Sequence, residues 1–296
     1  MALKSKKISA KKQQRDEEIQ QKISFTGVKP SPEDPRDYTT ESVLAMSALY
    51  PRAYQAPKTP ILNQLNISSC VAHACVSAMM NGEKNSVKDY NDYSRGYIYG
   101  NRAEDDFQSE GMVIRQALKR LNKCGDVYYN DFPYNQKYAE VAQKIASQEE
   151  ELRDSAALHK IKNYYRCYTT EEIKAAIMAS GGVIISVPTY SDFSRNLQPT
   201  KTHRATGHHA MLIVGWNKNN QWIVQNSWGK GWGYGGYLLM DMNYPVNEYW
   251  GITVGSFIKE PKKRHFSLKN NLTKAANKIA EAFSDAFRYI GKAFKR

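Results

Sequence analysis

The stretch from Gly207 to Met240, GHHAMLIVGWNKNNQWIVQNSWGKGWGYGGYLLM, constrains the fold more than any other part of the chain. His209 to Trp216 is an apolar run of strand length and Gln221 to Asn226 is its return. Asn217-Lys218-Asn219-Asn220 between them supplies turn chemistry. With Trp216 paired to Gln221 across a four-residue loop, His209 falls opposite Trp228, and Asn226 is its diagonal neighbour on the same face. A two-residue loop at Asn219-Asn220 keeps that parity, so the face assignment is expected not to depend on the turn. Side chains alternate along a strand, so His208 points the other way. The hairpin can therefore hold an imidazole beside a carboxamide. An Asn oxygen that accepts from one ring nitrogen fixes the tautomer and leaves the other nitrogen to act as a base. Taken alone, the same pattern also describes an ordinary hairpin with a surface histidine.

A base needs a group to activate, and the candidate is Cys70 in PILNQLNISSCVAHACVSAMM. Ser68 and Ser69 are good N-caps, and Val71, Ala74, Cys75, Ala78 and Met79 recur at helical spacing. Cys70 is thus expected at or just inside a helix N-terminus. There the helix dipole and a nearby imidazolium both favour thiolate. Gln64 lies six residues upstream, where its amide can point at a developing oxyanion, and the Cys70 N–H is the other natural donor. The competing reading of Cys70 is a small buried core residue. A metal site through Cys70, His73 and Cys75 is disfavoured. Cys75 lies about 140° round a helix from Cys70, and no second ligand pair follows.

Together these stretches resemble the papain-like cysteine peptidases. That family shows Gln, five residues, then Cys at a helix start. Much later come His before an apolar strand, Asn-Ser-Trp-Gly, and a Trp-Gly run ending Gly-Tyr. Here these are Gln64, Cys70, His209, Asn226-Ser227-Trp228-Gly229 and Trp232-Gly233-Tyr234-Gly235-Gly236-Tyr237. The resemblance covers roughly Gly27 to Ser256 and looks closest to the bacterial and phage-type branch. Val71 stands where many relatives have Trp, His73 where they have Phe, and Ile67 where a disulfide Cys often lies. The resemblance implies an α+β, two-lobe papain-like fold with no cofactor. A helical lobe of about 40–160 would carry Cys70, an antiparallel β-rich lobe of about 161–258 would carry His209 and Asn226, and the cleft would lie between them. It implies a cysteine endopeptidase acting on polypeptides through Cys70, His209 and Asn226, with Gln64 and Cys70 forming the oxyanion hole. It also maps a substrate-strand rail to Gly111, with Met112 at a subsite wall. Gly207, His208 and Trp228 line the site, and Trp228 shields the His–Asn bond and walls the leaving-group side. The alternatives are a catalytically idle binding or structural module and a thioester-based transferase or deamidase.

The flanks differ from this body. Residues 1–25 carry net +4 and residues 259–296 net +8 of a total of +13, which leaves the body nearly neutral. This disfavours nucleic-acid binding by the enzyme body. Residues 1–39 read as a basic tail and a Pro-rich, extended lead-in. The segment before Pro60 is too short and too Pro-rich to be the whole helical propeptide usual in papain-like zymogens, which leaves partial self-blocking by the N-terminal segment open. From Leu272 to Phe294, apolar residues step by three or four among lysines and arginines, predicting an amphipathic basic helix. Such a helix suits a partner groove or an anionic membrane surface. No apolar run spans a bilayer and no secretory signal is visible. If Cys70 is catalytic, three cysteines remain and cannot all pair. A reducing, cytoplasmic or virion-associated setting is therefore expected.

Between the motifs, the spacing predicts a helix near Tyr93–Arg102, a helix from Val113 to Lys123, and one continuous helix over 136–158. Further on it predicts a strand at Tyr164–Tyr168, a capped helix from Thr169 to Met178, and a buried strand at Val183–Val187.

Overall fold

A computed structural model describes residues 27–35, 37, 39, 50–102, 110–134, 137–199 and 205–259. Residues 272–294, where the amphipathic helix is expected, lie outside the described residues, as does most of the basic N-terminal tail.

Among the described residues, the N-terminal half holds five helices: α1 (Cys70–Val87), α2 (Arg95–Gly100), α3 (Ile114–Lys123), α4 (Tyr138–Ala146) and α5 (Glu149–Ala156). The expected single apolar stripe on α1 is an understatement. Every residue from Cys70 to Glu83 is buried, so the helix is enclosed on all sides. Ser69 is its N-cap, but its side chain makes no capping bond to the helix; the hydroxyl turns instead to the His73 ring. The long helix expected over 136–158 is broken at Ser147-Gln148. The Ser147 hydroxyl bonds back to Lys144 O, the local competition that makes serine a poor helix-interior residue. Helix α3 begins one residue later than expected. Met112–Val113 form a short strand, β3, paired in parallel with β1 (Val28–Lys29) of the lead-in.

Among the described residues, the C-terminal half and one short N-terminal strand form an eight-stranded sheet. Its strands are β2 (Tyr54–Gln55), β4 (Ile161–Arg166), β5 (Val183–Thr189), β6 (Asn196–Leu197), β7 (Gly207–Trp216), β8 (Gln221–Gln225), β9 (Tyr237–Asp241) and β10 (Glu248–Val254). The order is β4-β10-β5-β7-β8-β9-β6, with β2 added to β7. Strands β9 and β10 have no counterpart in the expectations above. One face of β7 (Ala210, Leu212, Val214) packs in the cluster that holds α1. The other (Met211, Ile213, Trp216) packs with Trp222, Val224 and helix α6 (Thr170–Ser180). Helix α6 follows its sequence signals. Thr169 and Glu172 form a reciprocal capping box, and Gly181 closes the helix in a left-handed conformation.

The β7–β8 hairpin differs from its expected register in an instructive way. Asn217 pairs with Gln221 through N–H···O at 2.9 Å, and Asn220 is left-handed, φ 55°, so the loop has three residues. Trp216 therefore pairs with Trp222, one residue later than expected. That parity alone would put Asn226 on the face opposite His209. A β-bulge at Val214 then takes up one residue, and Ile213 pairs with Val224 and Leu212 with Gln225. The expected face assignment therefore holds, but only because the bulge reverses what the turn does. The Val214 carbonyl is claimed by the N–H of Ala56 at 2.9 Å, beside β2. No described helix is long and apolar enough to cross a membrane.

The capping box of α6 gives a direct check. Thr169→Ala is expected to cost about 1 kcal/mol of stability, read as a lower urea midpoint at unchanged slope. An unmoved midpoint would mean that packing alone holds the helix.

Candidate active site

The first half of the site is set by a stitch between distant segments. Gln64 N–H donates to Ser227 O at 2.8 Å and Gly229 N–H to Leu62 O at 2.9 Å, with Asn63 and Trp228 forming an antiparallel bridge. Residues 62–64 are thus sewn to 227–229, although 163 residues separate Gln64 from Ser227. Leu65, at φ 53°, then turns the chain towards the start of α1. The Gln64 side chain is fully buried. Its Oε1 accepts from Ser227 Oγ at 2.6 Å and its Nε2 donates to Ile67 O at 3.1 Å. Ser227 was not singled out from the sequence. It sits in the Asn-Ser-Trp-Gly run, but its partner becomes visible only once the stitch is known.

The second half comes from the hairpin. His209 Nε2 and Asn226 Oδ1 are 2.8 Å apart, and Ser227 N–H also donates to that oxygen at 2.8 Å. An oxygen already accepting a backbone N–H takes its second bond from the imidazole N–H, so the proton of the neutral ring sits on Nε2. Nδ1 is left as the lone-pair nitrogen, buried and without a hydrogen-bond partner among the described residues. Trp228 stacks on the ring at 4.8 Å between centroids, Phe193 meets it edge-on at 6.2 Å, and Trp232 braces Trp228 at 5.1 Å. These rings keep water from the His209–Asn226 bond. His208 pairs with Pro188 and Gly207 with Thr189, both half-buried, and alternation turns His208 to the other face.

Cys70 is the first residue of α1 and has no exposed surface. Its sulfur is faced by backbone N–H groups of Gly27, Ala210, Val71 and Cys70 itself. Ala210 follows His209 in β7, so the thiol lies against the strand that carries the imidazole. Gly111 and Met112 lie on the same side, through Gly27: Met112 N–H donates to Gly27 O at 2.8 Å. Gln64, Cys70, His209, Asn226, Gly111, Met112 and Trp228 therefore converge.

The electrostatics depart from expectation. Burial pushes the Cys70 thiol above its ordinary value, and the surrounding N–H groups only partly offset this. Burial likewise draws His209 down to about 4 against the supporting bond from Asn226. Burial therefore works against the anticipated thiolate and imidazolium, because removing water penalises each charged form. His73 is buried too. Its Nδ1 lies 2.9 Å from Ser69 O, and desolvation takes the ring down to about 3.

Comparison with known proteins addresses the family and the fold. The family profile for papain family cysteine proteases matches residues 48–255. An uncharacterised peptidase C1-like protein of Acanthamoeba polyphaga mimivirus is 28% identical over 212 residues, covering 63% of this chain and 66% of its own length. A cysteine protease of Blomia tropicalis is 27% identical over 155 residues, 49% of this chain and 45% of its own length. The chain thus spans less than two thirds of either relative. Among solved structures, xylellain, a cysteine protease from Xylella fastidiosa, superposes with TM-score 0.66 at 21% identity, covering 78% of this chain and 97% of its own. The cysteine protease and lectin-like domains of Cwp84, a surface layer associated protein of Clostridium difficile, give 0.64 at 20% identity. There the coverage is 82% of this chain and 59% of the other. At these identities the two structures speak for the fold.

The neutral His73 makes a pH prediction. Its native pKa, about 3, lies below the unfolded value of about 6.5, so as pH falls the unfolded chain gains a proton that the native ring refuses. Its contribution is present above about pH 6.5 and is lost towards the native value. The stability difference between wild type and His73→Phe should therefore shift against wild type from pH 7 to pH 4, measured by urea midpoints. A pH-independent difference would show that the ring titrates in the fold as it does in the unfolded chain.

Proposed function

The chain belongs to the papain family of cysteine proteases, and on that premise we propose that it is an endopeptidase that hydrolyses peptide bonds through a Cys70–His209–Asn226 triad. We take residues 40–258 as the peptidase body, between a basic lead-in and a basic C-terminal segment. The observation that carries the reading is the 2.8 Å His209 Nε2–Asn226 Oδ1 bond, which leaves Nδ1 unprotonated beside the strand that abuts the Cys70 thiol. In the reaction, His209 Nδ1 takes the thiol proton and the sulfur attacks the peptide carbonyl carbon. Negative charge develops on the carbonyl oxygen, where the Cys70 N–H and the Gln64 amide donate. Ser227 Oγ, bonded to Gln64 Oε1, keeps the amide from flipping and so keeps its N–H groups on the oxyanion side. The C–N bond breaks as the imidazolium gives its proton to the leaving amine, and a thioester remains on Cys70. His209 then takes a proton from water, whose oxygen attacks the thioester. The acid leaves and the thiol is restored. Asn226 holds the ring plane throughout, under Trp228. Residues 272–294 suit docking to a partner or an anionic membrane surface, as an accessory to this chemistry.

Substitution separates the roles. Cys70→Ala and His209→Ala should abolish turnover of a peptide substrate, while His208→Ala should alter substrate fit at most. Gln64→Ala should lower kcat by roughly 10²–10³ and leave a thiol that can still be alkylated. Equal losses at His208 and His209, or turnover surviving in Cys70→Ala, would overturn the assignment. A Cys70 that alkylates no faster than an ordinary thiol in every variant would indicate an idle module.

A further inference from the structure

In the proposed reaction the leaving amine takes its proton from His209 Nδ1, so the segment that follows the cut bond has to run past this ring. The walls beside the ring are aromatic. Trp228 stacks on it and Phe193 meets its edge. Trp232 stands against both, 5.1 Å from Trp228 and 6.3 Å from Phe193 between centroids. Exposure rises along this wall. His209 is 0% exposed and Trp228 3%, Trp232 is half-buried, and Tyr234 is 46% exposed. The graded opening leads from the imidazole to solvent at Tyr234.

Arg195 lies over that last ring. Its guanidinium carbon is 4.9 Å from the Tyr234 centroid, within cation–π range. Both partners are held by the sheet and its loop. Arg195 O accepts from Leu239 N–H of β9 at 3.0 Å. Asn196, the next residue, opens β6 against β9 and accepts the Tyr234 hydroxyl on Oδ1 at 3.1 Å. Tyr234 N–H donates to Tyr237 O at 2.8 Å. Gly233, at φ 61°, lets the two segments meet: a Cβ there would stand 2.3 Å from Tyr237 O and 3.8 Å from Arg195 Cβ.

This guanidinium is placed without a carboxylate. Arg195 is exposed and makes no ion pair among the described residues. Asp192, the acid nearest in sequence, acts on the Tyr244 phenol, which burial, Tyr190 and Asp192 together push up. The sequence around it has one sign. Phe193 to Met240 contains no Asp or Glu, yet it holds Arg195, Lys201, Arg204, Lys218 and Lys230. A guanidinium braced by its flat side keeps its N–H fork free at the edge, and that fork matches a carboxylate with two parallel bonds. Arg195 is two residues beyond Phe193, and a strand advances about 3.3 Å per residue. A substrate strand running beside this wall therefore comes level with Arg195 two or three residues after the cut bond.

We propose that Arg195, braced on Tyr234, is a specificity-determining residue on the leaving-group side, and that it selects a Glu or Asp side chain two or three residues beyond the cut bond. The proposal rests on the hydrolase reading for the direction in which the substrate lies. An ion pair at an open edge changes affinity only a few-fold, so the effect is a preference and not an absolute requirement. Salt weakens it, because both charges meet in water.

The test uses the full chain and peptides of one sequence with amidated C-termini, carrying Glu, Gln or Lys at each of the first three leaving positions in turn. Two quantities are read: kcat/KM with wild type and Arg195→Glu, and Kd by fluorescence anisotropy with Cys70→Ala, alone and combined with Arg195→Glu. At the second or third leaving position we expect Glu to exceed Gln by about fivefold in wild type, and added salt to shrink that ratio. Arg195→Glu should reverse the order in favour of Lys. Equal values for the three peptides at every position, or a Glu preference that survives Arg195→Glu, would overturn the proposal. So would a preference seen only when the same peptides end in a free carboxylate, since Arg195 would then hold a chain terminus. If no form cleaves any peptide, yet Cys70→Ala binds the Glu peptide tighter through Arg195, the carboxylate site stands and the hydrolase reading fails. Cleavage that needs Cys70 but ignores Arg195 does the reverse. Neither cleavage nor Arg195-dependent binding would sink both.

Discussion

The antiparallel stitch between residues 62–64 and 227–229 is the interaction on which the rest of the site depends. It carries no chemistry itself: two backbone hydrogen bonds and a β-bridge. Yet Gln64, and after it Cys70, are located by those bonds relative to Asn226, and Asn226 locates His209. The Ser227 hydroxyl then uses the same crossing point to orient Gln64. The Gln64 amide and the His209 imidazole, on remote parts of the chain, share one short strand pair as their common reference. A shift there would move both together, which keeps their mutual geometry intact when the surrounding halves breathe.

The second theme is dryness. Cys70, His209, His73 and Gln64 are each no more than 1% exposed. In such surroundings a charge is costly, and burial pushes the Cys70 thiol up and draws the His209 ring down. The helix N-terminus and the inward-facing amides would favour thiolate in a wet site, but here they act against a larger desolvation penalty. Reactivity is therefore governed by solvent access as much as by which residues are present.

How much of this was legible in the sequence differs from residue to residue. The residues of the proposed chemistry, Cys70, His209, Asn226 and Gln64, were readable because each combines a chemically specific side chain with a local structural signal. The capping box of α6 was readable for the same reason. The hairpin was read correctly through two errors that cancel, the three-residue turn and the Val214 bulge. Bulges leave almost no trace in a buried apolar run, and burial of both faces of β7 settles the register instead. The desolvation that opposes charge at Cys70 was not readable, because composition does not report how deeply a site is covered. Strand β10 was missed although it lies between β4 and β5. Its partners are more than 50 residues away in sequence, and nothing local announces them.

On the substrate-rail assignment that the family resemblance implies, Gly111 has a consequence for what would enter the cleft. With no side chain on the rail and a left-handed backbone, that edge meets its occupant through main-chain atoms. Such contacts are the same for every amino acid except proline, so the edge is blind to the identity of what it holds. It is sensitive instead to whether the incoming strand has amides to spare. A segment already folded into a helix or an inner strand has committed those groups and cannot offer them. Frayed ends, loops and locally melted stretches can. The first discrimination such an edge makes among polypeptides is thus by their disorder, before any side pocket reads a single residue.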